Sequence, residues 1–230
     1  TTKQRGVTLV GKLKECKGCS MATGPRKPIP TSTNSRAEKL FERVFMDALR
    51  PKVVESMGGM KHSFLVLDDF SRKIWMYFGK HTSDTRRASE EYLVDVGAKC
   101  IPSVVETVRW DGGVDFAGSF SDLGRTRGIR QEYTPPDSPE YNGVAESAIV
   151  MVEQAAMAAL IQAQILYDVN VPARVWTESY RWAADALNRS ATTANPGRKS
   201  QDGLYYGEVP QVKLLHFFKP GYVKCKKTSK

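Results

Sequence analysis

Val144, Ala145, Ala148, Ile149, Val152, Ala155, Ala156, Ala159 and Leu160 recur at helical spacing directly after the turn signal Asn142-Gly143. This pattern predicts a helix over 143–166 with one long apolar face. Such a helix is buried, so the remaining chain has to supply the layer that it covers. Glu146 falls in its first turn, where an acid complements the helix dipole by about 0.3 to 1 kcal/mol. That contribution alone is an ordinary reason for an acid at this place.

The covering layer is legible upstream. In FERVFMDAL, residues 41–49, Val44 and Phe45 lead into Asp47 as a strand would. HSFLVLDDF and KIWMYFGK are β-rich runs joined across DDFSRK, the pattern of a hairpin with Asp68 and Asp69 at its corner. SDTRRASEEYLVDVGAK reads as a helix capped by Ser83 or Asp84, with Gly97 near its end. SVVETVRWDGG is a further strand that stops at Asp111. Residues 119–130 are expected to form a short helix, GIRQEYTPP a short strand, and 172–190 a second long helix. The remainder reads as irregular and basic. Strands followed by β-α alternation and then helices predict a mixed-sheet α/β domain.

Charge is unevenly placed in this 230-residue chain of net charge +9. Residues 1–30 carry seven Lys/Arg against Glu15, and residues 195–230 carry eight against Asp202 and Glu208. Each end is therefore +6, which leaves residues 31–194 at about −3. A polyanionic partner is expected at the termini. No run of 18 uncharged apolar residues occurs, so no membrane partner is expected. The chain starts at Thr1 without a signal-peptide pattern, as an excised segment of a longer polypeptide would.

Cys16 and Cys19, in CKGC, have the spacing that places two thiolates on one tetrahedral zinc. His62, His81 and His216 lack ligand spacing, so Zn²⁺ would need its other two ligands before Thr1. The segment TPPDSPEYNG is rich in turn formers and is expected to be a mobile surface loop.

Three acids share one description. Asp47 lies in a strand or at its end, Asp111 ends a later strand, and Glu146 opens a helix. Asp47 and Asp111 are 64 positions apart, and Asp111 and Glu146 are 35 apart. Aspartate, aspartate, then glutamate 35 residues on resembles the catalytic core of the retroviral-type integrases. The neighbouring words CKGCSMATG, LVLDDFSRKIWMYFGKHTSD, RWDGGVDF, TPPDSPEYNGVAE, WTESYRWAADALNR and GLYYGEVPQVKLLHFF resemble the Ty1/copia retrotransposon branch, in the right order along nearly the whole chain.

The resemblance implies a ribonuclease-H-like mixed five-stranded sheet flanked by helices. It divides the chain into the end of a His-His-Cys-Cys zinc module with a linker (1–30), a catalytic core (31–194) and a basic C-terminal extension (195–230). It implies that Asp47, Asp111 and Glu146 hold two Mg²⁺ or Mn²⁺ ions, with Asp47 as the bridge. Pro135, Pro136, Pro139, Asn142 and Gly143 would belong to a flexible loop at the site. The implied activity is 3′-end processing and strand transfer of element DNA into target DNA, by a homo-oligomer, in the nucleus or within a cytoplasmic virus-like particle.

The stretch SAIVMVEQAAMAAL carries no Lys or Arg where the family has basic and Asn residues, so no DNA-binding residue is assigned from sequence. Two other functions stay open at this point. One is a non-catalytic binding module derived from an integrase, and the other is a ribonuclease-H-like nuclease.

Overall fold

The computed structural model describes residues 36–97, 104–111, 123–134, 143–208 and 213–221. Five strands form one sheet: β1 Val44–Leu49, β2 His62–Asp68, β3 Ile74–Gly79, β4 Thr107–Asp111 and β5 Arg130–Thr134. Their order is β3-β2-β1-β4-β5. β1 runs antiparallel to β2 and parallel to β4, and β4 runs parallel to β5, so the sheet is mixed. The helices are α1 Thr85–Asp95, α2 Gly143–Tyr167, α3 Trp176–Asn188 and α4 Gln201–Tyr205. Residues 123–127 are also helical.

Side-chain alternation along β1 divides the core into two layers. Val44 and Met46 join Phe64, Val66, Tyr92, Val108 and Trp110 on one face. Phe45 and Leu49 join Leu65, Leu67, Phe78, Ala145, Ala148, Val152 and Trp176 on the other, where α2 and α3 pack. By length and composition alone α2 is apolar enough to cross a membrane. Its inward stripe of Ala145, Ala148, Val152, Ala156, Ala159 and Ala163 is buried. Small alanines let the helix lie close to the sheet.

The hairpin forms as its sequence predicts, and both of its acids are structural. Asp68 is fully buried and accepts hydrogen bonds from the Phe41 and Ser71 backbone N–H groups and from Ser71 Oγ. Burial pushes its carboxyl above the usual range, against the opposing effect of those donors. Asp69 pairs with Arg72 at 2.6 Å and holds that residue at φ +63 in the turn.

Two local expectations need correction. A 3₁₀ turn, Thr82–Asp84, precedes α1, and Asp84 does not cap α1 through its side chain. Its carboxylate turns back to accept from the Lys80 and His81 N–H groups at 2.7 and 3.1 Å. The segment after residue 195 is not wholly irregular either. Ser200 Oγ caps α4 by accepting from Gly203 N–H at 3.0 Å, and Tyr205 packs against the first core layer.

Candidate functional site

The site is set by strand register. β1 and β4 pair Phe45 with Arg109 and Met46 with Trp110, so the next residue on each parallel strand is Asp47 and Asp111. Adjacent strands lie about 4.8 Å apart, so the two aspartates are backbone neighbours. Asp111 is also the last residue of β4 and pairs with Thr134 of β5. Sequence places these acids 64 positions apart; the parallel pairing brings them together.

Asp47 is half-buried, and its Oδ1 accepts the Ala48 N–H at 2.8 Å. It alternates with Phe45 and Leu49, which puts it on the sheet face that α2 covers. Glu146 is the fourth residue of α2 and is exposed, while its neighbour Ala145 is fully buried against that same layer. The helix start is thereby anchored to the residues that flank Asp47. The Asp111 side chain lies outside the described residues, as do Cys16, Cys19, Pro135, Pro136, Pro139 and Asn142. Gly143 opens α2, with open space where a Cβ would be. Among the described residues, no three His, Cys, Asp or Glu side chains group closely enough to hold a metal ion.

A charged pair underlies the aspartates, and sequence reasoning missed it. Arg109, two residues before Asp111, donates to Glu132 of β5 through Nε and Nη2 at 2.9 and 2.6 Å. Its guanidinium lies 5.7 Å from the Phe45 ring centre. Arg43 reaches the same Glu132 at 3.4 Å and Asp69 at 3.4 Å. These contacts cross three strands and fix the relative heights of β1, β4 and β5. Only the strand order, which no short motif carries, would have revealed them.

No protein-family model matches the chain. It is 29% identical over 183 residues, 77% of its length, to the retrovirus-related Pol polyprotein from transposon TNT 1-94 of Nicotiana tabacum. It is 22% identical over 209 residues, 90% of its length, to the corresponding polyprotein from transposon RE2 of Arabidopsis thaliana. The chain spans only 13% and 14% of those relatives.

Among solved structures, it matches a chain of the simian T-cell lymphotropic virus intasome in complex with PP2A regulatory subunit B56 gamma. The TM-score is 0.59 at 14% identity, covering 88% of this chain and 66% of that one. It also matches the HTLV-2 integrase catalytic core domain in complex with magnesium, a trimeric form, with a TM-score of 0.54 at 14% identity over 74% of this chain and 99% of that one. This chain is a homologue of the Pol polyproteins of plant Ty1/copia-type transposons, and its mixed five-stranded sheet with flanking helices is the ribonuclease-H-like fold of retroviral integrase catalytic cores.

Proposed function

We propose that the chain is the catalytic unit of an integrase, which trims the ends of element DNA and joins them to target DNA. The observation that carries this reading is the register that makes Asp47 and Asp111 neighbours on parallel strands, beneath the face on which α2 holds Glu146 in its first turn. Carboxylates are hard oxygen donors, so this set suits Mg²⁺ or Mn²⁺. A pair of such ions, when bound, stabilises the attacking and leaving oxygens of an in-line displacement at phosphorus. Asp47, Asp111 and Glu146 would hold the ions, an assignment that is part of the proposal.

The protein's own contribution is positioning. β1 and β4 set the backbone of Asp47 and Asp111 side by side on paired strands, and the packing of Ala145 and Ala148 fixes the height of Glu146. The nucleophile is water in end trimming and the freed 3′-hydroxyl in joining, so neither step needs a covalent enzyme intermediate. Assembly into a homo-oligomer on DNA, and the nuclear or particle-bound location, belong to the same proposal. So does a zinc site through Cys16 and Cys19, completed by ligands upstream.

A second reading, a non-catalytic nucleic-acid- or protein-binding module derived from an integrase, is favoured by one observation. α2 carries no Lys or Arg and exposes Met151, Met157, Ile165 and Leu166. A strand-transfer assay separates the two. A labelled duplex with the parent element's terminal sequence is supplied with Mg²⁺, using the wild type and Glu146→Gln. Transfer that vanishes in the variant supports the integrase; binding without transfer in either protein supports the module.

A further inference from the structure

The buried stripe of α2 is almost all alanine, with Val152 as its larger side chain. Short methyl groups interlock poorly, so such a face specifies the rotation and height of a helix only weakly. A polar contact placed in an apolar interface supplies the missing register. Glu146 is exposed, so its position depends on how the helix is seated.

A polar knot crosses this interface. Glu153 Oε1 accepts from Lys52 Nζ at 3.0 Å and from the Tyr180 hydroxyl at 3.2 Å. The Lys52 ammonium also lies 5.2 Å from the Tyr180 ring centre. Burial opposes the Lys52 charge, but Tyr180 and Glu153 outweigh it and hold the ammonium above its usual range. The knot therefore joins the chain that leaves β1 to both α2 and α3. Each anchor is itself held. Lys52 N–H donates to the Lys61 carbonyl at 2.8 Å, and the Tyr180 ring is buried edge-on to Trp176 at 5.5 Å.

Spacing links the knot to the acids. Glu153 follows Glu146 by seven residues. At about 3.6 residues per turn that returns to within about 20° of the same side of the helix, about 10.5 Å further along its axis. Lys52 follows Asp47 by five residues on the chain that continues β1. One helix face thus carries Glu146 and Glu153, and one run of chain carries Asp47 and Lys52.

We propose that Lys52, Glu153 and Tyr180 are positioning residues: their knot fixes the rotation and height of α2 on the sheet and so sets where Glu146 stands relative to Asp47. The role of Glu146 rests on the integrase reading; the seating of α2 rests on the knot.

The test is Mn²⁺ titration of the full chain, with free Mn²⁺ read by electron paramagnetic resonance, together with hydrogen exchange across α2 read by mass spectrometry. Lys52→Met keeps an unbranched side chain and leaves Glu153 its Tyr180 hydroxyl. Removing a cation near the acids would by charge alone tighten Mn²⁺ binding. Loosening α2 does the opposite. Lys52→Met should weaken uptake about 10-fold, as loss of a partner behind a metal ligand does, and should speed exchange in the first half of α2. Lys52→Arg, which keeps a charged donor to Glu153, should stay near wild type in both readouts. Gly79→Ala, which crowds Phe64 on the opposite face of the sheet, should leave uptake unchanged. Uptake by Lys52→Met equal to or tighter than wild type, or an equal loss in Lys52→Arg or Gly79→Ala, overturns the proposal.

The fate of the integrase reading is separate. A wild type that takes up no Mn²⁺ sinks the shared-acid site and leaves hydrogen exchange to decide the knot. Faster exchange in Lys52→Met, with the wild-type rate in Lys52→Arg, upholds the knot; equal rates in all three proteins overturn it.

Discussion

Lys73 and Asp202, 129 positions apart, form an ion pair whose side chains are only 9% and 6% exposed. The Lys73 ammonium is also ringed by Trp75, Tyr205 and Tyr206, with ring centres at 5.5, 5.1 and 4.8 Å. The pair ties α4 to the start of β3. Removing one partner of a buried pair strands the other charge and costs about 3 to 5 kcal/mol. Asp202→Ala should therefore lower unfolding free energy by about that amount in urea denaturation. Asp185→Ala, at an exposed position of α3, should change it by less than about 0.5 kcal/mol.

Gly79 closes β3 where the 3₁₀ turn folds back over the sheet edge. A Cβ built there would lie 2.7 Å from the Asp84 Cβ and 3.0 Å from the Phe64 ring. Neither neighbour is the free end of a flexible chain, so the turn has to move. Gly79→Ala is expected to cost about 1 to 3 kcal/mol, measured as a shift of the urea midpoint at constant m-value. Gly97→Ala meets no neighbour within 4 Å, but its φ of +76 makes the cost one of backbone strain.

Alkaline pH should destabilise the fold through its tyrosines. Tyr205 is pushed up to about 12, by burial first and then by Tyr206 and Asp68. The unfolded chain releases this proton near 10 while the folded chain keeps it, so the native state binds more protons between about pH 10 and 12. The stabilisation is fully present below pH 10 and is lost as pH rises through the folded value. Burial also raises Tyr77 and Tyr92. Denaturation across this range should show stability falling with pH, with a shallower slope in Tyr205→Phe. An identical slope in that variant would assign the fall to other groups.

The strands, the hairpin and the two long helices were legible because each carries its own period or turn residues. The order of the strands was not. Asp47 and Asp111 are made neighbours by the β1–β4 pairing, which local sequence does not encode. α4 was missed because QDGLY has a central glycine and little helical pattern; a serine cap and the Lys73 pair hold it in place. The RTRGIR segment carries three arginines in six residues, inside the 31–194 stretch whose net charge of about −3 conceals them. For the half zinc site and the proline loop, the residues lie outside those described, so both remain sequence expectations.

The central claim is that Asp47, Asp111 and Glu146 act as one divalent-cation site. Titrating Mn²⁺ into the full chain, with free Mn²⁺ followed by electron paramagnetic resonance, tests it most directly. The wild type should take up Mn²⁺, and Asp47→Asn, Asp111→Asn and Glu146→Gln should each weaken that uptake, with Mg²⁺ competing for the same site. Uptake unchanged in all three variants would contradict the account.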